Sequence, residues 1–352
     1  MLHRQVFCSM GFDTQLDSSP TLVPSSTPNG RILILMVRMT VLASGSKGNS
    51  TVVSSSRTRI LVDAGVSCRE LFKRMQAAGE DPRTLDAILV THEHQDHIQG
   101  LSVTARKLGI PVYFTEATHR AWMRWITPRK RMTYAEWLAQ RKQQAETTAA
   151  PLNPEMDDRE AFEEEQECEP VEIRAEAEKP KADPAALPRV EYFAAGEAFS
   201  VGDITVSPFT IPHDAADPVG FVLEAEGVRI GLATDLGYMP AHASMRLRGC
   251  NVLVLESNHD LEMLRDGPYP WSVKQRVMSR VGHLSNDAAA EFLEKSYDGQ
   301  AAYVVLAHLS ESNNLPELAR IAAERALGGS MNLLANKILL ATQDVPMESI
   351  TL

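Results

Sequence analysis

The heptapeptide Thr91-His92-Glu93-His94-Gln95-Asp96-His97 packs three imidazoles and a matching carboxylate into six residues, directly after the apolar run Leu85 to Val90. On a strand-to-helix loop, His92 and His94 come from one arm and Asp96 and His97 from the other. Imidazole and carboxylate together suit Zn²⁺ or Mn²⁺ and suit Ca²⁺, which prefers oxygen alone, less well. A polar surface loop explains four such donors poorly. This loop cannot close a metal centre by itself, so other strands should end in further ligands. His213 follows one apolar run, Asp235 ends Gly231-Leu232-Ala233-Thr234, and His308 ends Tyr303-Val304-Val305-Leu306-Ala307. Each alone reads as an ordinary core or turn residue. All three at strand ends, taken with the loop, read as ligands. A carboxylate reaching a multi-histidine site can bridge two cations about 3.5–4 Å apart.

These donors need a scaffold. The chain has 352 residues, 44 % hydrophobic and 23 % charged, with a formal net charge of −11. That excludes collagen-like, coiled-coil and disulfide-framework proteins. Cys8, Cys68, Cys168 and Cys250 lie far apart without a CxxC pair, so no cysteine zinc site or redox dithiol is indicated. The apolar run Ile32 to Val37 is far shorter than the roughly 20 residues of a spanning helix. No membrane partner is expected, and the cytoplasm is the default compartment.

Residues 1–38 are rich in Ser, Thr and Pro and lack any period. They read as a disordered leader, with Met36 and Met39 as alternative starts. A second anomaly, 127–188, begins with Arg129-Lys130-Arg131 and turns acidic. Pro151 to Pro184 holds 13 acidic and 4 basic residues, nine of the eleven net negative charges. Such composition buries too little surface to offset chain entropy. It reads as a charged, largely disordered insertion, a solvated tether with helix at most around Trp137. One nearly neutral domain within 39–352 remains, so the acidity does not argue against a polyanionic partner.

In that domain, strands are expected at Met39–Ala43, Ser50–Ser54, Arg59–Val62, Leu85–Val90, Val112–Phe114, Ile204–Pro208, Val219–Ala225, Val228–Ala233, Val252–Leu255 and Ala302–Leu306. Helices are expected over Arg69–Ala78, Ile98–Leu108, Trp271–Val281, Asn286–Lys295 and Leu315–Ala326. Hairpins mixed with strand–helix units point to an α/β layered sandwich rather than a purely parallel sheet.

The loop His92-Glu93-His94-Gln95-Asp96-His97 resembles the HxHxDH motif of the metallo-β-lactamase fold. Leu61-Val62-Asp63-Ala64-Gly65 resembles its first motif, and His213, Asp235 and His308 match the third, fourth and fifth in order. Ser44-Gly45-Ser46-Lys47-Gly48-Asn49-Ser50, Glu256-Ser257-Asn258-His259-Asp260, Gly282-His283-Leu284-Ser285-Asn286 and Ala307-His308-Leu309-Ser310-Glu311-Ser312-Asn313-Asn314 are similar to its YycJ/WalJ exonuclease-like branch. The resemblance covers Met39 to about Thr342 outside the insertion. It implies a four-layer αββα sandwich, two divalent ions (Zn²⁺ or Mn²⁺), and a 5′→3′ exonuclease acting on 5′-phosphorylated double-stranded DNA. The leader and acidic insertion depart from the family pattern but remove no motif residue.

By the same resemblance, His92, His94 and His213 hold one metal and Asp96, His97 and His308 the other. Asp235 bridges them, and a hydroxide between the metals is the nucleophile. Asp63 orients a ligand from behind. His283 and Glu256 are candidates for phosphate contact and proton transfer. His259 is a further candidate for that role, and Ser285 caps a helix whose free N–H groups can bind an anion. Ser46, Lys47 and Asn49 lie on a loop that can cradle a phosphate, and Lys274, Arg276 and Arg280 can track a DNA backbone from one helix. His3, His119 and His242 have no supporting pattern. Two other readings stay open: a hydrolase of this fold acting on RNA or a small ester, lactone or thioester, and a metal-binding regulatory or scaffold protein that uses the acidic insertion.

Overall fold

The computed structural model describes residues 36–127, 138, 186–328 and 337–352. Nearly all of the leader and the charged insertion lie outside the described residues, with Cys8, Cys168, His3 and the helix expected around Trp137.

The first half builds β1 (Arg38–Ala43), β2 (Ser50–Ser54), β3 (Arg59–Val62), α1 (Cys68–Ala77), β4 (Ala87–Leu89), α2 (Gln95–Ile98), α3 (Leu101–Leu108), β5 (Val112–Phe114), α4 (Glu116–Ile126) and β6 (Val190–Tyr192). The second half builds β7 (Phe199–Val201), β8 (Ile204–Thr210), β9 (Val219–Ala225), β10 (Val228–Ala233), α5 (Ala241–Arg246), β11 (Val252–Glu256), α6 (Leu261–Asp266), α7 (Trp271–Val277), α8 (Asn286–Lys295), β12 (Tyr303–Ala307), α9 (Pro316–Gly328), β13 (Lys337–Leu340) and β14 (Ile350–Thr351).

Two seven-stranded sheets result, ordered β14-β1-β2-β3-β4-β5-β6 and β13-β12-β11-β10-β9-β8-β7. Each is mixed. β1, β2 and β3 are antiparallel hairpin partners, whereas β3, β4, β5 and β6 run parallel. β7 to β10 pair antiparallel, and β10 to β13 pair parallel. Three apolar layers hold the sandwich together. Met39, Val41, Val53, Phe221, Ile230 and Val254 fill the space between the sheets. Leu71, Met75, Leu101 and Trp122 seal α1, α3 and α4 to the outer face of the first sheet. Leu247, Phe292, Leu293 and Ala323 do the same for the second. This is the αββα sandwich that the family resemblance implies.

Differences from the sequence expectation have local causes. Ser67 accepts from Glu70 N and caps α1. The helix expected over Ile98–Leu108 starts only at Leu101, after Gly100 packs against the Val66 carbonyl, 2.1 Å from where a Cβ would sit, and the separate turn α2 that precedes it is not expected from the sequence. The helix from Trp271 stops at Val277 because Gly282 folds back on the Val277 carbonyl with equally little room. The sequence reading misses α4, α5, α6 and the short strands β6, β7, β13 and β14.

One glycine sits where the fold and the metal-type residues meet. A Cβ on Gly65 would lie 1.7 Å from the Asp96 carbonyl oxygen and 2.4 Å from Asn49 N, both rigid backbone. Gly65→Ala is therefore expected to destabilise the protein by about 3 kcal/mol or more, read as a lowered urea midpoint with an unchanged slope. A change under ~1 kcal/mol would show that this approach is looser than described.

Candidate metal centre

The expected metal-type donors converge at one edge of the sandwich, where strands end. β3 delivers Asp63, β4 leads into His92–His97, β8 into His213, β10 into Asp235, β11 ends in Glu256, and β12 leads into His308. Asp63, Asp235 and His308 have φ of 60°, 62° and 56°, left-handed conformations that side chains rarely adopt. The only other such residue among those described, Glu226, sits in a hairpin turn. Strain held at three converging strand ends marks a site that the surrounding structure over-determines.

Three donor groups form among the described residues: two around the HxHxDH loop, and a third of Asp235, Glu256, His283 and His308. His92, His94 and His213 group together, as do Asp96, His97, Asp235 and His308, all within 4.8 Å of one another inside each set. His213 Nε2 stands 3.2 Å from His94 Nδ1, with its own Nδ1–H donated to the Gly282 carbonyl at 3.1 Å. In the second set, Asp96 Oδ2 and Asp235 Oδ2 lie 3.5 and 3.4 Å from His97 Nε2, and Asp96 Oδ2 lies 3.5 Å from His308 Nε2.

The polar atoms that face inward test whether cations fit here. His92 Nε2, Asp235 Oδ2 and His308 Nε2 are buried without a hydrogen-bond partner, a costly state that a bound cation relieves. The electrostatics agree. Burial opposes charge on His97 and His308, yet Asp235 and the neighbouring carboxylates hold both rings well above the usual imidazole range. Burial and the nearby His97 push His92 well below that range, and burial lowers His213, so both keep a free lone pair. Burial pushes Asp96 up, but His97 and His308 outweigh it and keep the acid strongly ionised.

Behind the donors stands a fixed frame. Asp63 accepts from Thr91 N (2.9 Å), Thr91 Oγ1 (2.8 Å) and His97 Nδ1 (2.8 Å). With Nδ1 held this way, His97 Nε2 faces Asp96 and Asp235. Glu256 is fully buried. Its Oε1 accepts from His283 Nδ1 and His308 Nδ1, both at 2.8 Å, and its Oε2 from Leu236 N and Leu284 N. Burial works against this charge, but His283 and its hydrogen bond bring the acid down to about 2. With both oxygens engaged, Glu256 cannot contact phosphate as the sequence reading expects; it positions two histidines.

A cleft of about 300 Å³ opens over the donors, lined by His94, Asp96, Asp235, His283, His308 and Arg276 among others. Other expected substrate contacts sort unevenly around it. Ser46 lines the cleft. Asn49 does not: its Nδ2 donates to Asp96 Oδ2 (3.1 Å) and its Oδ1 accepts from Gly45 N, so it braces the Asp96 carboxylate. Lys47 is exposed and paired with Glu311. The phosphate cradle expected of this loop is largely closed, since the N–H groups of Gly45, Lys47, Gly48 and Asn49 donate within the protein. His259 is 1 % exposed, and burial lowers its pKa to about 4. It packs behind the site rather than in it. Ser285 Oγ is engaged by Ala288 N as a helix cap. Of the three expected DNA-tracking cations, Lys274 is buried and donates to the Arg265 and Gly267 carbonyls, and Arg280 lies over the Tyr238 ring. Arg276 alone of the three lines the cleft. His119 and His242 bind Tyr192 and the Thr210 carbonyl, away from the donors.

Sequence reasoning missed three residues. Ser44 Oγ accepts from His308 N, and Asn258 Nδ2 donates to the His308 carbonyl; both sit in motifs already singled out. Asp214 points at the first donor set, and its position directly after His213 is the signal that could have found it.

The Metallo-beta-lactamase superfamily model matches residues 43–308. The chain belongs to that superfamily. As a member, it is a metal-dependent hydrolase. It is 33 % identical to exodeoxyribonuclease YycJ of Bacillus anthracis, over 83 % of this chain and 89 % of that one. It is 31 % identical to exodeoxyribonuclease WalJ of Streptococcus pneumoniae, over 81 % and 86 %. Among solved structures, the metallo-beta-lactamase fold protein YhfI from Bacillus subtilis is similar in fold, with a TM-score of 0.54 at 14 % identity over 89 % of this chain and 99 % of that one. Yeast PDE1 gives 0.54 at 12 % identity over the same shares. Among the described residues, no helix is long and apolar enough to cross a membrane.

The frame around a superfamily metal site should matter almost as much as the donors. Asp63→Asn keeps a residue that tolerates φ 60° but weakens the acceptor of His97. Metal affinity is expected to fall about 10–100-fold, measured by competition with a chromophoric chelator. An unchanged affinity would remove Asp63 from the orienting role.

Proposed function

We infer that the protein is a dinuclear metal-dependent phosphodiesterase, a 5′→3′ exonuclease on double-stranded DNA carrying a 5′ phosphate. The supporting observation is two adjacent donor sets on one open cleft, in a chain that matches relatives named exodeoxyribonucleases over most of its length. His92, His94 and His213 would hold one cation, and Asp96, His97 and His308 the other. Asp235 would be shared; it groups directly with the second set, and its charge also acts on His92 and His213. Bound there, Zn²⁺ or Mn²⁺ would lower the pKa of water to about 7 and stabilise charge on a phosphoryl group.

The remaining work belongs to the chain's own side chains. Asp63, Asn49 and Glu256 fix the donor rings and carboxylates in place. Arg276 offers a positive charge at the cleft mouth to a phosphodiester. His283, anchored at Nδ1 by Glu256 and 22 % exposed, presents its ring to the cleft and can give a proton to a departing 3′ oxygen. No Ser or Cys nucleophile is required.

Duplex DNA with 5′-phosphate or 5′-hydroxyl ends, single-stranded RNA and a thioester, each with Mn²⁺ or Zn²⁺, separate the substrate classes. Stepwise mononucleotide release from the 5′-phosphorylated duplex is expected, faster than from the 5′-hydroxyl duplex and abolished by a chelator. Turnover of RNA or thioester without release from DNA would overturn the reading.

A further inference from the structure

The two donor sets are chemically unequal. The second contains two carboxylates, whereas the first is three imidazoles. A carboxylate nevertheless faces those imidazoles. Asp214 Oδ1 lies 3.4 Å from His213 Nε2 and 3.9 Å from His94 Nε2. It is buried and has no hydrogen-bond partner. His213 has committed its Nδ1 proton to the Gly282 carbonyl, so its Nε2 carries a lone pair. Asp214's side chain is 25 % exposed overall, but two electron-pair donors facing each other, with this oxygen shielded from solvent, are unfavourable unless positive charge lies between them.

Asp214's other oxygen is already occupied. Arg276 Nε donates to Oδ2, at the cleft mouth. The backbone makes this arrangement one unit. Asp214 N donates to the Val281 carbonyl and His213 Nδ1 to that of Gly282. Gly282 itself has no room for a Cβ, which would lie 2.3 Å from the Arg276 carbonyl oxygen. His213, Asp214 and Arg276 are thus held by a single turn.

We propose that Asp214 is an oxygen donor to the cation held by His92, His94 and His213, and that Arg276 restrains it through the opposite oxygen. This rests on the metal-site reading above and does not depend on the substrate. Three imidazole nitrogens alone make a zinc-type set, and an added carboxylate hardens it and favours Mn²⁺ relative to that set. Arg276 is also the group that an incoming phosphodiester would contest, so substrate binding would loosen the restraint on Asp214.

The test uses the full chain stripped of metal. Zn²⁺ affinity is read by competition with a chromophoric chelator, and Mn²⁺ affinity from the electron paramagnetic resonance of the free ion. Asp214→Asn is expected to weaken Mn²⁺ binding at one of two sites about tenfold or more, and Zn²⁺ binding there by a smaller factor. Arg276→Gln is expected to act oppositely, tightening binding roughly two- to fivefold, the worth of an exposed ion pair. That gain should vanish in the double variant, because its route runs through the Asp214 carboxylate. An equal gain in both backgrounds would show only through-space repulsion and overturn the proposal, as would unchanged affinities in Asp214→Asn. If Asp214→Asn does not fold, Asp214→Ser replaces it in both the single and the double variant, and the same outcomes support or overturn the proposal. A chain that binds no cation at all overturns the metal reading as well, which separates the two failures.

Discussion

Asp235→Asn is expected to leave a folded protein that holds fewer than two divalent ions per chain and turns over at least about 10²–10³-fold more slowly. Asn is the right probe because the residue sits at φ 62°, where Asn is tolerated and Ala is strained. The change removes a charge and keeps the shape. Its effect is large because Asp235 faces His97 at 3.4 Å and His308 at 3.3 Å, while its Oδ2 has no protein donor. His308 and His97 overcome the effect of burial and hold this acid well below the usual carboxylate range, so it is negative at any working pH. Neutralising it takes one full negative charge from the donors that would hold the cations. Metal content by plasma mass spectrometry after gel filtration, together with turnover on duplex DNA, checks the prediction. Two ions per chain with wild-type turnover would sink the shared role of Asp235.

Why the donors were legible and their supports less so is a matter of distance along the chain. His92, His94, Asp96 and His97 lie within six residues, so their types and spacing announce a metal site before any fold is known. His213, Asp235 and His308 were readable because each follows a clear apolar strand. Their left-handed backbones were not, since positive φ at Asp63, Asp235 and His308 is imposed by tertiary packing rather than by residue type. The same limit explains Lys274 and His259. Local pattern places them on or beside helices, but only the packed structure shows Lys274 capping carbonyls and His259 turned away from the cleft. Short strands such as β7 and β14 carry too few residues to show alternation, and exist because neighbouring strands offer them a ladder. Glu256 is legible in its motif, but its bonding is not. Its motif flagged importance, yet its four bonds make it a clamp.

That clamp leads to the second large effect. His283→Gln is expected to slow hydrolysis of a natural phosphodiester about 10²–10⁴-fold while leaving metal content at the wild-type level. His283 is absent from the two donor sets nearest the HxHxDH loop and groups instead with Asp235, Glu256 and His308. Its Nδ1 proton is given to Glu256, and its ring lies 5.1 Å from those of both His213 and His308. It can therefore reach a leaving group without displacing a donor. Burial opposes a charge on this ring, but the Glu256 carboxylate and its hydrogen bond outweigh it and raise the pKa above the ordinary imidazole value, which favours the protonated, acid form. An acid matters only when the leaving oxygen needs a proton. On an aryl diester such as bis-p-nitrophenyl phosphate, whose phenolate leaves unaided, the same variant should lose no more than about tenfold. Glu256→Gln should show the same substrate contrast with smaller losses, because it loosens the His283 ring rather than removing it, and should also weaken metal binding through its bond to His308. Equal losses on both substrates would make His283 a phosphate-positioning residue, and the proton would have to come from elsewhere in the cleft.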